Sequence, residues 1–210
     1  MAMRLQEVHP SLVHFPIALL PLSVGADLIG KVSGNRRLTW FGRWGMAASA
    51  ITGALAGLAG LIAQEEVNVS GKTMDMLITH RNLNLIGVGA VTALAIRRAR
   101  EKEPSVPYLI AGGLALATIA YSSYIGGELV YRHGVGVEPA GGLWEGGGPE
   151  LKIENTGEIV RSTGKGIGMG FVHLGRETAQ GKIVPSLRRG GMEVSASEGG
   201  EELPEASPTP

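Results

Sequence analysis

The run LVHFPIALLPLSVGADLI, Leu12–Ile29, holds one ionisable side chain near each end, His14 and Asp27, and is otherwise almost wholly apolar. At about 1.5 Å of rise per residue, a helix of this length covers most of the ~30 Å hydrocarbon core of a bilayer, so a membrane span is the economical reading. Three more runs repeat the pattern: Trp44–Ala63, Met76–Ile96 and Pro107–Gly127, the last continuing to about residue 130. All four are roughly 18–21 residues long, close to the ~20 needed to cross. Hydrophobic residues make up 44% of the chain and charged residues 18%, and the mean hydropathy is +0.14. A soluble domain of this size would instead show polar faces at helical period. The predicted fold is all-α. A four-helix transmembrane bundle occupies residues 1–137, with helices near 12–29, 44–63, 76–96 and 107–130, and a Gly-rich, largely irregular tail follows over 138–210.

The cations set the orientation. Lys31, Arg36, Arg37 and Arg43 follow the first span, and Arg97, Arg98, Arg100 and Lys102 follow the third. The other side offers Arg4, Lys72, Arg81 and Arg132, interleaved with Glu65, Glu66 and Asp75. The positive-inside rule then puts both basic links in the cytoplasm and both termini outside, in a bacterial inner membrane. Pro16 and Pro21, with no cationic leader and no small-residue cleavage site, make the first run a retained helix rather than a signal peptide. Trp40, Trp44, Tyr108, Tyr124 and Tyr131 fit interfacial anchors.

A net charge of zero averages unlike parts, and no nucleic-acid footprint appears. With no cysteine in the chain, disulfides, thiolate metal sites and covalent c-type haem are excluded. Beyond Tyr131, glycines at 134, 136, 141, 142 and 146–148 end the fourth helix. Leu151–Ile153, Glu158–Arg161 and Phe171–Leu174 read as weak strands or an interfacial segment, and the Glu-, Gly-, Ser- and Pro-rich last twenty residues as disordered.

Four histidines, His9, His14, His80 and His133, are expected on one side of the membrane, because an even number of crossings separates them. His14 and His80 each lie about one turn inside a span, at matching depth. His9 and His133 form a shallower pair. Ionisable groups within a span usually face a bundle interior or cavity. Two imidazoles on facing helices suit a bis-histidine haem b, with Ala18, Pro21, Gly25, Asn84 and Gly87 as slim neighbours. Glu128, near Tyr124 and Arg132 at the end of the fourth helix, suits an outer hydrogen bond to a ligating imidazole, or an ion pair with Arg81 or Arg132. Zinc or copper on the same histidines is the alternative metal reading, and wet hydrogen-bonding roles without any cofactor are the plain one. Gly53 and Gly57 read as a helix-packing pair, Asp27 as reaching to Arg36 or Arg37, and His173 as solvated.

The stretch His9–Leu20 (HPSLVHFPIALL) and the stretch Gly126–Val137 (GGELVYRHGVGV) resemble the two ends of a bacterial membrane-protein family known as domain of unknown function 2231. The resemblance covers about the first 137 residues. It implies a four-helix integral membrane module, in some relatives joined to cytochrome c domains, with no settled activity. The expectation is therefore a haem b electron-transfer module with its histidine cluster at the periplasmic face, more an electron carrier or accessory subunit than a stand-alone enzyme. Its partners would be the lipid bilayer and a periplasmic cytochrome or larger membrane complex. The alternative is a cofactor-free accessory or assembly subunit, or a zinc- or copper-binding membrane protein.

Overall fold

Each expected run becomes a helix in the computed structural model, which describes residues 7–136 and 149–190. In chain order these are α1 (Val8–Leu12), α2 (His14–Ser33), α3 (Arg36–Ala63), α4 (Gly71–Arg100), α5 (Val106–Tyr131), α6 (Thr156–Ala179) and α7 (Pro185–Gly190). Between α1 and α2 the chain barely departs from a helix: Val13 keeps helical dihedrals and donates to His9 O at 3.1 Å, and Ile17 donates to Val13 O at 3.2 Å. The irregularity sits one turn ahead of Pro16, whose missing N–H and ring prevent a regular bond to the Leu12 carbonyl.

Local chemistry closes the first hairpin. Gly34 takes the left-handed conformation (φ 68°) that ends α2, and Asn35 Oδ1 accepts from Arg37 N at 3.0 Å to cap α3. α2 then packs along α3, α3 along α4, α4 along α5, and α5 back on α2, a closed ring in which α2 and α4 face each other across the diagonal. Its centre is filled by Leu20, Val24, Met46, Ala50, Val91, Leu94, Tyr108 and Ala115. Because lipid competes equally for apolar surface, close backbone approach rather than water exclusion drives such packing. The tightest approaches are at Gly42 and Gly45, where a methyl group would overlap the Asp27 carboxylate and the Ser23 hydroxyl. Gly53 and Gly57 pack more loosely, against Val88 of α4.

Three helical segments are long and apolar enough to cross a membrane, Val8–Ser33, Arg36–Glu66 and Val106–Tyr131, and only 28%, 39% and 22% of their most apolar windows is buried inside the protein. Phe15, Ile17, Leu22, Ile51, Leu55, Ile110 and Leu114 face outward, as a lipid-facing surface requires. The expected third span, in α4, differs. It is long enough at 30 residues, about 45 Å, yet it buries Thr79, Arg81, Asn82 and Arg98. α4 is therefore not apolar enough to be a span by composition alone, and its buried polar groups find partners in the neighbouring elements.

At the Lys/Arg-rich end, Asp27 and Arg98 form a fully buried ion pair, with Nε–Oδ2 at 2.9 Å and Nη2–Oδ1 at 2.8 Å. Tyr108 Oη donates to Asp27 Oδ2 at 2.9 Å, and Arg98 also donates to the Thr39 and Glu101 carbonyls. Asp27 therefore does not reach Arg36 or Arg37, which lie beyond the Gly34–Asn35 turn. Tyr108, expected as an anchor, is fully buried.

The tail also departs from expectation. Of the stretches read as weak strands or an interfacial segment, Glu158–Arg161 and Phe171–Leu174 fall in α6, a helix of 24 residues, and Leu151–Ile153 precedes it. Gly166 and Gly170 lie against Ile62 and Leu61 at the end of α3. Glu177 pairs with Arg81, Asn82 Nδ2 donates to Ile183 O at 2.6 Å, and His173, expected to be solvated, meets Glu65 at 2.9 Å. These contacts supply the order that a Gly-rich sequence lacks by itself. The last twenty residues lie outside the described part.

Candidate functional site

Among the four expected histidines, the structure brings together His9 and His80. Their ring centroids are 6.5 Å apart with planes at 84°, at the bundle end opposite the Asp27–Arg98 pair. His14 does not join them. Five residues turn a helix through about 500°, so His14 points about 140° away from His9. With His9 turned inward, His14 is exposed on the outer surface. The expected His14–His80 pair is therefore not formed, and His80 lies level with His9, which was expected in a shallower pair with His133. His133 lies apart from the pair, its Nδ1 3.1 Å from Thr73 Oγ1.

Each ring of the pair is seated in the same way. His9 Nδ1 donates to Ala56 O of α3 at 2.9 Å, and a Cβ placed on Gly60, four residues later, would come within 3.0 Å of the ring. His80 Nδ1 donates to Ser122 O of α5 at 2.8 Å, and a Cβ on Gly126, again four residues later, would sit 2.8 Å from its Cε1. The reason is geometric. Helical Cβ atoms tilt toward the N-terminus, so the side chain at i+4 leans over the carbonyl at i, and glycine there uncovers it. A helical carbonyl whose second lone pair is exposed can then take a side-chain donor.

These bonds fix the tautomers. Carbonyl oxygens only accept, so both rings carry a proton on Nδ1, and as neutral imidazoles they keep the Nε2 lone pair. Asn84 Nδ2 lies 3.1 Å from His80 Nε2 and donates to it, while Ser122 Oγ donates to His80 O at 3.2 Å. The two rings line a largely apolar cavity of about 290 Å³ with Gly60, Asn84, Gly126 and Arg81, open at a rim that includes Glu7, Pro10 and Gly136. A smaller cavity of about 70 Å³, lined by His9, Asn84, Ser49, Gly53 and Val88, lies next to it toward the bundle centre.

The same seam ends in the ion pair. Asp27 follows His9 by 18 residues and Arg98 follows His80 by 18. That spacing is five helical turns, so each partner returns to its histidine's face about 27 Å further along.

The expected outer hydrogen-bonding group is different. Glu128 pairs with Arg132 at 3.1 Å on the surface, where Arg132 is 72% exposed, and Tyr124 is exposed and stacked on Tyr121. The ion-pair reading of Glu128 is thus the one realised. Orientation of the rings falls instead to the Ala56 and Ser122 carbonyls and to Asn84. Gly60 and Gly126 were the readable signal for those carbonyls, hidden among 33 glycines. Among the described residues, no group of three or more His, Cys, Asp or Glu side chains is placed to hold a bare metal ion.

No curated protein and no solved structure matches this chain. The profile of a family described as "Predicted membrane protein (DUF2231)" matches residues 6–139, well over half of the chain. With its apolar helices and outward apolar surface, this is an integral membrane protein, and it belongs to the predicted membrane-protein family DUF2231.

Proposed function

We propose that the protein is a haem b-binding electron-transfer module of a bacterial inner membrane, in which His9 and His80 would hold the haem. The observation that carries this reading is the facing pair of imidazoles, each held by a backbone carbonyl through Nδ1 with its Nε2 lone pair retained. A haem would draw one nitrogen from each of the two imidazoles. The pair stands at 6.5 Å. Ligand number favours haem over zinc or copper, because a bare zinc ion needs three or four protein ligands whereas haem needs two. The 290 Å³ cavity lies just below the usual range of ligand sites, about 300–1,000 Å³, and Gly60 and Gly126 are each covered by one of the two rings.

Haem would supply one-electron redox chemistry. The chain's own part is to bind and tune. Ala56 O and Ser122 O fix the tautomers and make each Nε2 a better donor, while the apolar lining of the cavity keeps water from the rings. Asn84, which donates to His80 Nε2, would give up that bond in the loaded protein. The positive-inside rule supports a position of the pair near the periplasmic face, with both termini outside, and electrons would then pass to a separate periplasmic cytochrome or membrane complex.

The test is optical. Full-length protein expressed with haem supplementation should show a Soret band that shifts on dithionite reduction. His9→Ala and His80→Ala should each abolish it, and His14→Ala should leave it intact. A colourless, metal-free preparation, or a band lost in His14→Ala and kept in His9→Ala, rejects the assignment. The second reading, a cofactor-free accessory subunit, draws on α6, whose Val160, Phe171 and Val172 are exposed. Deleting residues 140–210 should then abolish association with a larger complex, whereas the haem reading expects unchanged spectra.

A further inference from the structure

At the opposite end of the bundle the first two turns of α3 alternate cation and indole. Arg36, Trp40, Arg43 and Trp44 recur at i, i+4, i+7 and i+8, which puts them on one helix face. Arg37 and, from the α4–α5 turn, Lys102 join Arg36, Trp40 and Arg43 around a pocket of about 430 Å³. The turns are linked there, since Arg43 donates to the Glu101 carbonyl and, at 3.4 Å, to the Lys102 carbonyl.

The pocket's charge is unbalanced. Arg36, Arg37 and Lys102 are exposed, and none of their side chains makes an ion pair among the described residues. Glu101 turns its carboxylate to Arg97 at 2.8 Å and to Ser105, and Glu103 is exposed beside Lys102. The first turn of α3 holds no acidic residue. Two arginines occupy the positive end of a helix 28 residues long, where carboxylates are normally favoured and cations are disfavoured. An anion in the pocket would reverse that penalty.

Both indoles beside the pocket are exposed, Trp40 at 64% and Trp44 at 59%, and Phe41 is exposed next to them. Exposed tryptophan on a membrane helix marks the headgroup level. A phosphate bound by Arg36, Arg37 and Lys102 would therefore sit where lipid phosphates lie, with its acyl chains able to run down the apolar face of α3.

We propose that this pocket is a phosphate site for an anionic phospholipid headgroup, bridging the α2–α3 and α4–α5 turns. Arginine forks and the Lys102 ammonium bind the phosphate oxygens, and the tryptophans hold the glycerol level. The site is independent of the histidine pair and of any cofactor there.

Lipid binding to the full-length protein in neutral detergent tests it, read by native mass spectrometry and by tryptophan fluorescence. The probes are phosphatidylglycerol, phosphatidylcholine and inorganic phosphate. Phosphatidylglycerol should bind well above phosphatidylcholine, and each of Arg36→Gln, Arg37→Gln and Lys102→Gln should weaken it by about fivefold, the effect expected for one cation near an anionic surface. Arg161→Gln with Lys165→Gln, on α6, should leave the preference unchanged. Lys102→Gln lies in an exposed turn and keeps the test available if the arginine variants fold poorly. Equal affinity for the two lipids overturns the proposal, as does equal loss in the α6 control. Binding of inorganic phosphate with the same arginine dependence, without a lipid preference, reassigns the pocket to a soluble phosphate and overturns the headgroup assignment.

Discussion

Gly126→Ala tests how His80 is held. The new methyl group would lie 2.8 Å from Cε1, 3.3 Å from Nδ1 and 3.5 Å from Nε2 of the ring, closer than van der Waals contact allows. Two responses are open. If the ring stays, overpacking costs about 1–3 kcal/mol. If it swings away, the Nδ1–H loses Ser122 O, and an unsatisfied buried donor also costs about 1–3 kcal/mol. The cheaper response sets the loss. Replacing glycine by alanine within a helix returns about 1 kcal/mol, so the fair comparison is Gly113→Ala on the same helix, where nothing lies within 4 Å of the added carbon. The propensity gain then cancels. Gly126→Ala should be less stable than Gly113→Ala by about 1–3 kcal/mol, measured by unfolding in mixed micelles with rising dodecyl sulfate and followed by circular dichroism. Any Soret band should weaken in Gly126→Ala alone. Equal stability of the two variants would refute the reasoning, because the ring could not then be pressed against Gly126.

Three further outcomes follow from other contacts. Breaking the buried pair with Asp27→Ala should cost about 3–5 kcal/mol by leaving Arg98 uncompensated, with Asp27→Ala/Arg98→Met recovering much of it, whereas Tyr108→Phe should cost about 1 kcal/mol for one hydrogen bond. Glu177→Ala removes the carboxylate facing the buried Arg81, and should raise amide hydrogen exchange across Thr156–Ala179 while leaving α2 and α3 protected. The hydrogen bond from Arg97 holds the Glu101 carboxyl below its ordinary value of 4.5. A depressed carboxylate contributes stability above the ordinary value and loses it as pH falls through the folded value. Protection of the 101–105 turn relative to the intrinsic exchange rate should therefore fall in acid, and Glu101→Gln should flatten that dependence.

Some of this was legible in one dimension. The apolar lengths gave α2, α3 and α5, and the pattern of cations placed the basic end where Arg36, Arg37 and Lys102 are found. Glycine as a packing residue was also readable at Gly53 and Gly57, although the closest contacts fell at Gly42 and Gly45. The tail was not legible. Gly164, Gly166, Gly168 and Gly170 argue against a helix when only the local chain is considered. Gly166 and Gly170, however, let α6 lie directly on Leu61 and Ile62, a gain that depends on residues about a hundred positions away.

The histidines divide along the same line. Chain order alone gathered them toward one end of the bundle, because that depends only on counting helices and residues along an axis. Which of them meet depends on rotation about that axis. In a soluble helix the polar face reveals the rotation, but a helix bathed in lipid is apolar on both sides, so its sequence carries little record of which face turns inward. Depth along the axis thus favours His14 as the partner of His80 and leaves His9 in a shallower pair, although the two are five residues apart and about 140° out of phase; the packing of α1 against Gly60 turns His9 toward His80 and His14 outward.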